Sequence, residues 1–190
     1  MKSKASKRKI PTRLLGKQPL ITPNPWRVAH LIPDEAPRFL SAFPFSEKAA
    51  LLAKIRHNRL VGDFLGFAAH SLETNVRSCG ERSGQVLTDE IYFGVDRSGR
   101  QFVVPVQAKG GNDKLSAVQA RQDIVCCTEK FPGLICRAIS AQFMEGDLIA
   151  LFELTLEDGA VKVVDETHYR LVPADQISRE ELAAYAKRKK

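Results

Sequence analysis

Apolar side chains recur at helical spacing through the first half of the chain: Leu51, Leu52, Ile55, Leu60, Phe64, Leu65, Phe67, Ala68 and Leu72. Ser46 stands before this run as an N-cap, with Glu47 in the first turn. The pattern predicts helix from Glu47 to about Arg77, divisible at Gly62 and Gly66. Glu73 falls near the C-terminal end of that helix, and "SCGERSG" reads as a loop.

The pattern then changes period. "VLTDEIYFGV" and "QFVVPVQA" are rich in β-branched and aromatic residues and read as strands. Asp96-Arg97-Ser98-Gly99-Arg100 between them is a hairpin signal, with glycine at the left-handed position of the turn. "GGND" breaks the second strand. "KLSAVQARQDIVCCTEK" reads as a helix capped by Asn112 or Asp113 and ended by Pro132-Gly133. Three apolar strands follow, "LICRAISAQF", "DLIALFELTL" and "AVKVVDE", and then a closing helix "SREELAAYAKRKK" capped by Ser178. Before all of these, "WRVAHLIPDEAPRFL" holds short elements that would pack Trp26, Leu31, Phe39 and Leu40 on the body. The order helix, strand, strand, helix, three strands, helix predicts an α/β mixed sheet with helices on its faces.

Composition narrows the function classes. With 190 residues, 44% hydrophobic and 27% charged, the chain has the make-up of one globular domain with extensions. No apolar run approaches the roughly 20 residues that cross a bilayer, and no apolar stretch follows the basic start as in a secretory signal. The expectation is a cytoplasmic protein without membrane contact. Cys79, Cys126, Cys127 and Cys136 include no C-x-x-C pair and read as reduced structural thiols rather than a zinc site. There is no Walker-type loop, and His30, His57 and His70 are scattered, with no Ser/His/Asp arrangement.

The net charge of +7 is unevenly spread. Residues 1–17 carry Lys2, Lys4, Lys7, Arg8, Lys9, Arg13 and Lys17 and no acid, and the chain ends Lys187-Arg188-Lys189-Lys190. The rest is net acidic. Basic tails suit a phosphate polyanion, because each cation that neutralises a phosphate releases a counterion; they also suit simple solvation. The chain thus divides into a basic, Pro-rich arm over 1–44 and a main domain over 45–190 with a basic tail.

Gln107 and Lys109 stand two apart on a strand, so they share a face. A Lys inside the apolar run "FVVPVQAKGG" costs free energy unless something pairs with it. With a three-residue turn, cross-strand partners sum to 196 and Asp89 lies opposite Gln107; with a four-residue turn Glu90 takes that place. Either way a carboxylate faces Gln107 and Lys109, and Glu73 is within reach from its helix. A carboxylate and an amide oxygen are hard ligands for Mg²⁺, which lowers the pKa of a bound water. Lys109 would hold the attacking hydroxide or the phosphate. The plainer alternative is a strand-end ion pair between Lys109 and Asp89 or Glu90.

This order of elements ending in "VPVQAKGG" resembles the PD-(D/E)XK nuclease superfamily, in the Q-x-K variant of Mrr-like restriction endonucleases. The likeness covers about residues 60–145. It implies an αβββαβ restriction-endonuclease-like core, dependence on Mg²⁺ (with Mn²⁺ as a substitute) and hydrolysis of DNA phosphodiesters in restriction or defence. By motif position Asp89 or Glu90 is the first metal carboxylate, Gln107 the second ligand, Lys109 the catalytic lysine and Glu73 the accessory helix acid. Thr88 stands where the motif has proline, and Gln107 is neutral where most members carry an acid. Lys7, Arg8, Lys9 and Arg13 would then touch DNA phosphates, with Gln119 and Gln122 near the metal shell or the DNA. His168 and Tyr169 read as DNA recognition or as an ordinary strand exit. Gly110-Gly111 either lets backbone amides approach a phosphate or ends the strand. Cutting both strands implies a homodimer. The rival expectations are a noncatalytic DNA-binding protein that keeps the fold, and a nuclease acting on RNA or branched DNA.

Overall fold

A computed structural model of the chain describes residues 20–37, 46–80, 84–110 and 113–186. Lys7, Arg8, Lys9 and Arg13 of the basic arm lie outside them, as do Phe39, Leu40, Gly111, Asn112 and the last four residues.

Helix α1 (Glu47–His57) begins as its sequence predicts: the Ser46 hydroxyl accepts from the Ala49 amide at 3.2 Å. Helix α2 (Leu60–Leu65) stops at Gly66, whose φ of 77° a side chain would strain. Beyond Gly66 the helical spacing is misleading. Residues Ala68–Gly80 form strand β3, paired antiparallel with β4 (Gly84–Val95) from Ala68↔Val95 to Gly80↔Gly84. The long cross-strand ladder outweighs the local preference of "HSLETNV". Glu73 is therefore a strand residue, not the end of a helix.

The hairpin to β5 (Gln101–Lys109) follows its turn chemistry. Asp96 and Arg100 close a three-residue turn, Gly99 has φ 78°, and the pairs Val95↔Gln101 to Glu90↔Val106 all keep the 196 register. A two-residue strand β6 (Leu115–Ser116) precedes α3 (Ala117–Lys130), so the helix starts after Ser116 rather than at Asn112 or Asp113. The chain returns through β7 (Ile135–Cys136) and β8 (Ala138–Met144), both parallel to β5. Strands β9 (Leu148–Glu157) and β10 (Ala160–Val172) continue the sheet antiparallel. Helix α4 (Arg179–Ala186) opens on a capping box, Ser178 and Glu181 each bonding the other's amide.

The N-terminal segment is more engaged than an arm. Strand β1 (Leu20–Ile21) pairs with β6, and β2 (Ala29–Pro33) lies parallel to β10. Trp26, expected to pack on the body, is instead 88% exposed. The main sheet runs β2-β10-β9-β8-β5-β4-β3, with β7 beside β5. It is a mixed sheet in an α/β fold. Among the described residues no helix is long and apolar enough to cross a membrane.

Strand alternation sorts the core into two faces. Phe102, Val104, Val106 and Ala108 of β5 pack with Ile139, Ala141, Ile149 and Leu151 under Leu51, Ile55, Leu60 and Val61 of α1 and α2. On the other face α3 covers two patches. Ala120 and Ile124 meet Ala138, Ala150 and Phe152, while Cys127 meets Val76, Ile91 and Val103. Cys126, Cys127 and Cys136 are free thiols, and burial pushes Cys127 and Cys136 well above the ordinary range, as inert structural cysteines require.

One ion pair joins α1 to the sheet. Arg56 forks onto Glu90 at 2.8 and 3.0 Å, and Glu90 is fully buried. Removing one partner of such a pair strands the other. Because Arg56 is part-exposed, Arg56→Met should cost about 2–3 kcal/mol, less than the 3–5 of a fully enclosed pair. Urea unfolding would show this as a lower midpoint at unchanged slope. A midpoint equal to wild type would mean that Glu90 is protonated or otherwise held.

Candidate functional site

The β4–β5 ladder ends at Glu90↔Val106 although both strands run further. Side chains take over where it stops. The Asp89 carboxylate accepts the Ala108 amide at 2.9 Å, and the Gln107 amide donates to the Leu87 carbonyl at 2.9 Å. The Asp89 carboxylate thus sits on the peptide between Gln107 and Lys109. In β3, Asn75 stands between the pairs Thr74↔Glu90 and Val76↔Thr88 with φ 51°, a left-handed conformation that asparagine tolerates.

The three-residue turn settles which acid joins Gln107. Asp89 does. Glu90 points to the opposite face, into the Arg56 fork, and is not brought to the motif. Glu73 is not brought there either. It is half-exposed and lies 3.5 Å from Lys130, at the far end of α3. Lys130 is eleven residues beyond Gln119, or roughly 16 Å along the helix axis. The acid that α1 does bring to the end of β5 is Glu47: a Cβ on Gly110 would stand 2.6 Å from the Glu47 Cβ and 3.0 Å from the Lys48 amide. Gly110 is thus what lets the first turn of α1 close on β5. The Lys48 ammonium pairs with Asp89.

Helix α3 supplies the other wall. Gln119, Asp123 and Cys127 are spaced by four and form one stripe toward the sheet. Lys109 Nζ lies 3.4 Å from Gln119 Oε1, and Gln119 also approaches the Leu87 carbonyl at 3.4 Å. The Thr88 hydroxyl donates to Asp123 Oδ1 at 2.6 Å. Gln122 is half-buried beside this stripe. Strand β8 completes the floor, Ser140 pairing with Gln107 and Gln142 with Lys109 in the parallel ladder. Under α3 the sheet thus changes along the strands, from Val103 and Ala138 to Gln107, Lys109, Ser140 and Gln142. The polar end is the carboxyl end of two parallel strands, where α/β sheets place ligands.

Polar groups are concentrated and enclosed here. Thr88, Asp89, Gln107, Asp123, Ser140 and Gln142 are all buried. Gln142 donates to the Asp113 carbonyl at 3.1 Å. Among the described residues, three buried acceptors of this region have no hydrogen-bond partner, Gln107 Oε1, Asp123 Oδ2 and Gln142 Oε1; the Tyr92 hydroxyl, on the other face, is a fourth such oxygen. Such groups are rare and need a counterpart. Burial pushes the Asp123 carboxyl up to about 7; Thr88 and Gln107 oppose this, the Asp89 charge adds to it, and Lys109 offsets part. Among the described residues no three His, Cys, Asp or Glu side chains converge to hold a metal. A cation at this place would rest on one or two carboxylates and an amide oxygen, the kind of set Mg²⁺ accepts when waters and a phosphate fill the remainder.

The motif pair was readable from spacing, and turn chemistry narrowed its acid to Asp89 or Glu90. Asp123, Thr88, Lys48, Ser140 and Gln142 were not readable. Asp123 had one available signal, its position four residues after Gln119. His168 is buried and bonded to Glu166 at 2.8 Å, and Glu166 accepts the Asn24 amide at 2.7 Å. Tyr169 donates to Asp63 at 3.0 Å. Both anchor β10. A groove of about 1030 Å³ lies beside α2 and the β4–β5 turn, lined by Gly62, Phe64, Phe67, His70 and Arg97 among others. No motif residue lines it. The chain matches no family model, no curated protein and no solved structure.

The raised Asp123 constant has a definite sign. A carboxyl whose folded pKa stands above its unfolded value of about 3.9 stabilises the protein below pH 4 relative to pH 7. That stability is lost as pH rises to about 7, by at most ~4 kcal/mol for this group. Asp123→Asn removes the titration. With a chelator present, the unfolding free energy of the variant relative to wild type should climb between pH 4 and 7 and level off above. A difference independent of pH would show that Asp123 is not the buried titrating acid.

Proposed function

We propose that this chain is a metal-dependent nuclease that hydrolyses DNA phosphodiesters at the Asp89–Gln107–Lys109 site. The observation that carries the reading is the Asp89 carboxylate on the Ala108 amide, which gathers an acid, an amide oxygen and an ammonium at the carboxyl end of β5. The succession α1/α2, β3, β4, β5, α3, β8 supports a restriction-endonuclease-like core around it. Asp89 and Gln107 Oε1 would hold the Mg²⁺ or Mn²⁺, Gln107 Oε1 being a buried acceptor without a partner. When bound, the cation supplies charge that offsets what develops on the phosphoryl oxygens.

The remaining work falls to the chain's own residues. Lys109 is half-buried, and its ammonium makes a weak contact of 3.4 Å to Gln119. Its ammonium can turn to a phosphate oxygen or orient the attacking water. Lys48 neutralises part of the Asp89 charge and keeps the carboxylate in place. Glu47, at the first turn of α1, takes the accessory acid's role that Glu73 cannot fill. Phosphate contacts from Lys7, Arg8, Lys9 and Arg13 would give affinity without reading sequence. Gln119 and Gln122 stand on the wall nearest the DNA, and two copies of the chain would be needed to cut both strands.

A second reading, a noncatalytic DNA-binding protein, is favoured by one feature: Lys48 and the Ala108 amide already occupy the Asp89 carboxylate. Incubation with plasmid DNA and Mg²⁺ or Mn²⁺ separates the two. Wild type should nick or linearise the DNA, Lys109→Ala and Asp89→Asn should each lose about 10²–10³-fold in rate, and Glu73→Gln should cut like wild type. DNA retained equally by wild type and Lys109→Ala, with cleavage by neither, would sink the nuclease reading. Single-stranded, branched and RNA substrates in the same assay fix the substrate class.

A further inference from the structure

Helix α3 faces the motif with a second carboxylate that the Q-x-K pattern does not contain. Asp123 is 1% exposed and Gln107 4%. Each leaves one oxygen without a hydrogen-bond partner, Asp123 Oδ2 and Gln107 Oε1. They are held side by side by consecutive residues of β4, Leu87 and Thr88. The other halves of both groups are committed: Asp123 Oδ1 to the Thr88 hydroxyl at 2.6 Å, and Gln107 Nε2 to the Leu87 carbonyl at 2.9 Å. Those two bonds fix both orientations. Turning Gln107 over to satisfy Oε1 would set its oxygen against the Leu87 carbonyl oxygen.

While Asp123 is ionised, two buried and fixed acceptors cannot satisfy each other; they then need a positive partner. The Lys109 ammonium lies against Gln119, 3.4 Å from its Oε1.

We infer that Asp123 Oδ2 and Gln107 Oε1 together bind a divalent cation, the helix carboxylate supplying the charge that a glutamine at the strand position lacks. The donor set is all oxygen, so the class is a hard cation such as Mg²⁺, Mn²⁺ or Ca²⁺. This deepens the nuclease reading by naming an anionic ligand outside the motif, and it rests on that reading only for its role in cleavage. Binding itself is independent of turnover.

The test uses Mn²⁺ as the probe on the full chain, without DNA. Titration calorimetry should show one site, Asp123→Asn and Gln107→Leu should each weaken it at least tenfold, and Gln107→Glu should tighten it. Asp123→Asn keeps an oxygen for Thr88, and circular dichroism checks its fold. In wild type, Mn²⁺ should broaden the NMR signals of the Gln107 side-chain amide and the Asp123 backbone amide, and Ca²⁺ should reverse this, a readout free of any variant. No Mn²⁺ bound, broadening elsewhere, or wild-type affinity in a folded Asp123→Asn overturns the inference. If Mn²⁺ binds through Asp123 but no nucleic acid is cut, the cation site stands and the nuclease reading falls. If DNA is cut and folded Asp123→Asn keeps the same metal requirement, the nuclease reading stands and this inference falls.

Discussion

The structure depends on a ladder that stops early. After Glu90↔Val106 the β4–β5 ladder ends, yet Thr88, Asp89, Gln107 and Ala108 stay buried. A buried backbone group left unpaired costs about as much as a lost hydrogen bond, so the gap must be filled. Asp89 fills it with a carboxylate on the Ala108 amide, and Gln107 with an amide on the Leu87 carbonyl. The two residues that give the site its chemistry are therefore also the ones that close the sheet around it.

That double duty explains the surroundings. An anionic carboxylate inserted into a sheet needs compensation, and Lys48 reaches it from the first turn of α1. The helix can come that close because Gly110 has no side chain to hold Glu47 away. From the other face, α3 meets the splayed strands with Asp123 and Gln119 where farther along it uses Cys127. One face of the sheet is apolar in the β5–β8 region, and the other is apolar at one end and polar at the other.

The Arg56–Glu90 pair belongs to the opposite logic. It sits under α1, the guanidinium covering both Glu90 carboxylate oxygens. Adjacent acids on β4 thus have unrelated tasks, one in packing and one in the site. The strand period separates them: neighbouring side chains leave a strand on opposite faces. On the Asp89 side, Gln107, Asp123 and Gln142 each leave an oxygen without a partner; on the Glu90 side the Tyr92 hydroxyl does.

The sequence by itself determined the local features whose cause is local. The Ser46 and Ser178 caps, the Gly99 turn and the alternation of β5 depend on near neighbours and formed as read. The turn narrowed the acid to Asp89 or Glu90, and the three-residue closure seen in the structure chose Asp89. Tertiary structure decided the rest. "HSLETNV" became a strand because β4 offered a full ladder of partners, and Glu73 went with it to the far end of α3. Asp123, Lys48 and Gln142 come from segments remote in sequence, so spacing could not announce them. Their meeting around Gln107 and Lys109 exists only once two helices pack on opposite faces of the splayed strands, where burial forces every polar group to find a partner.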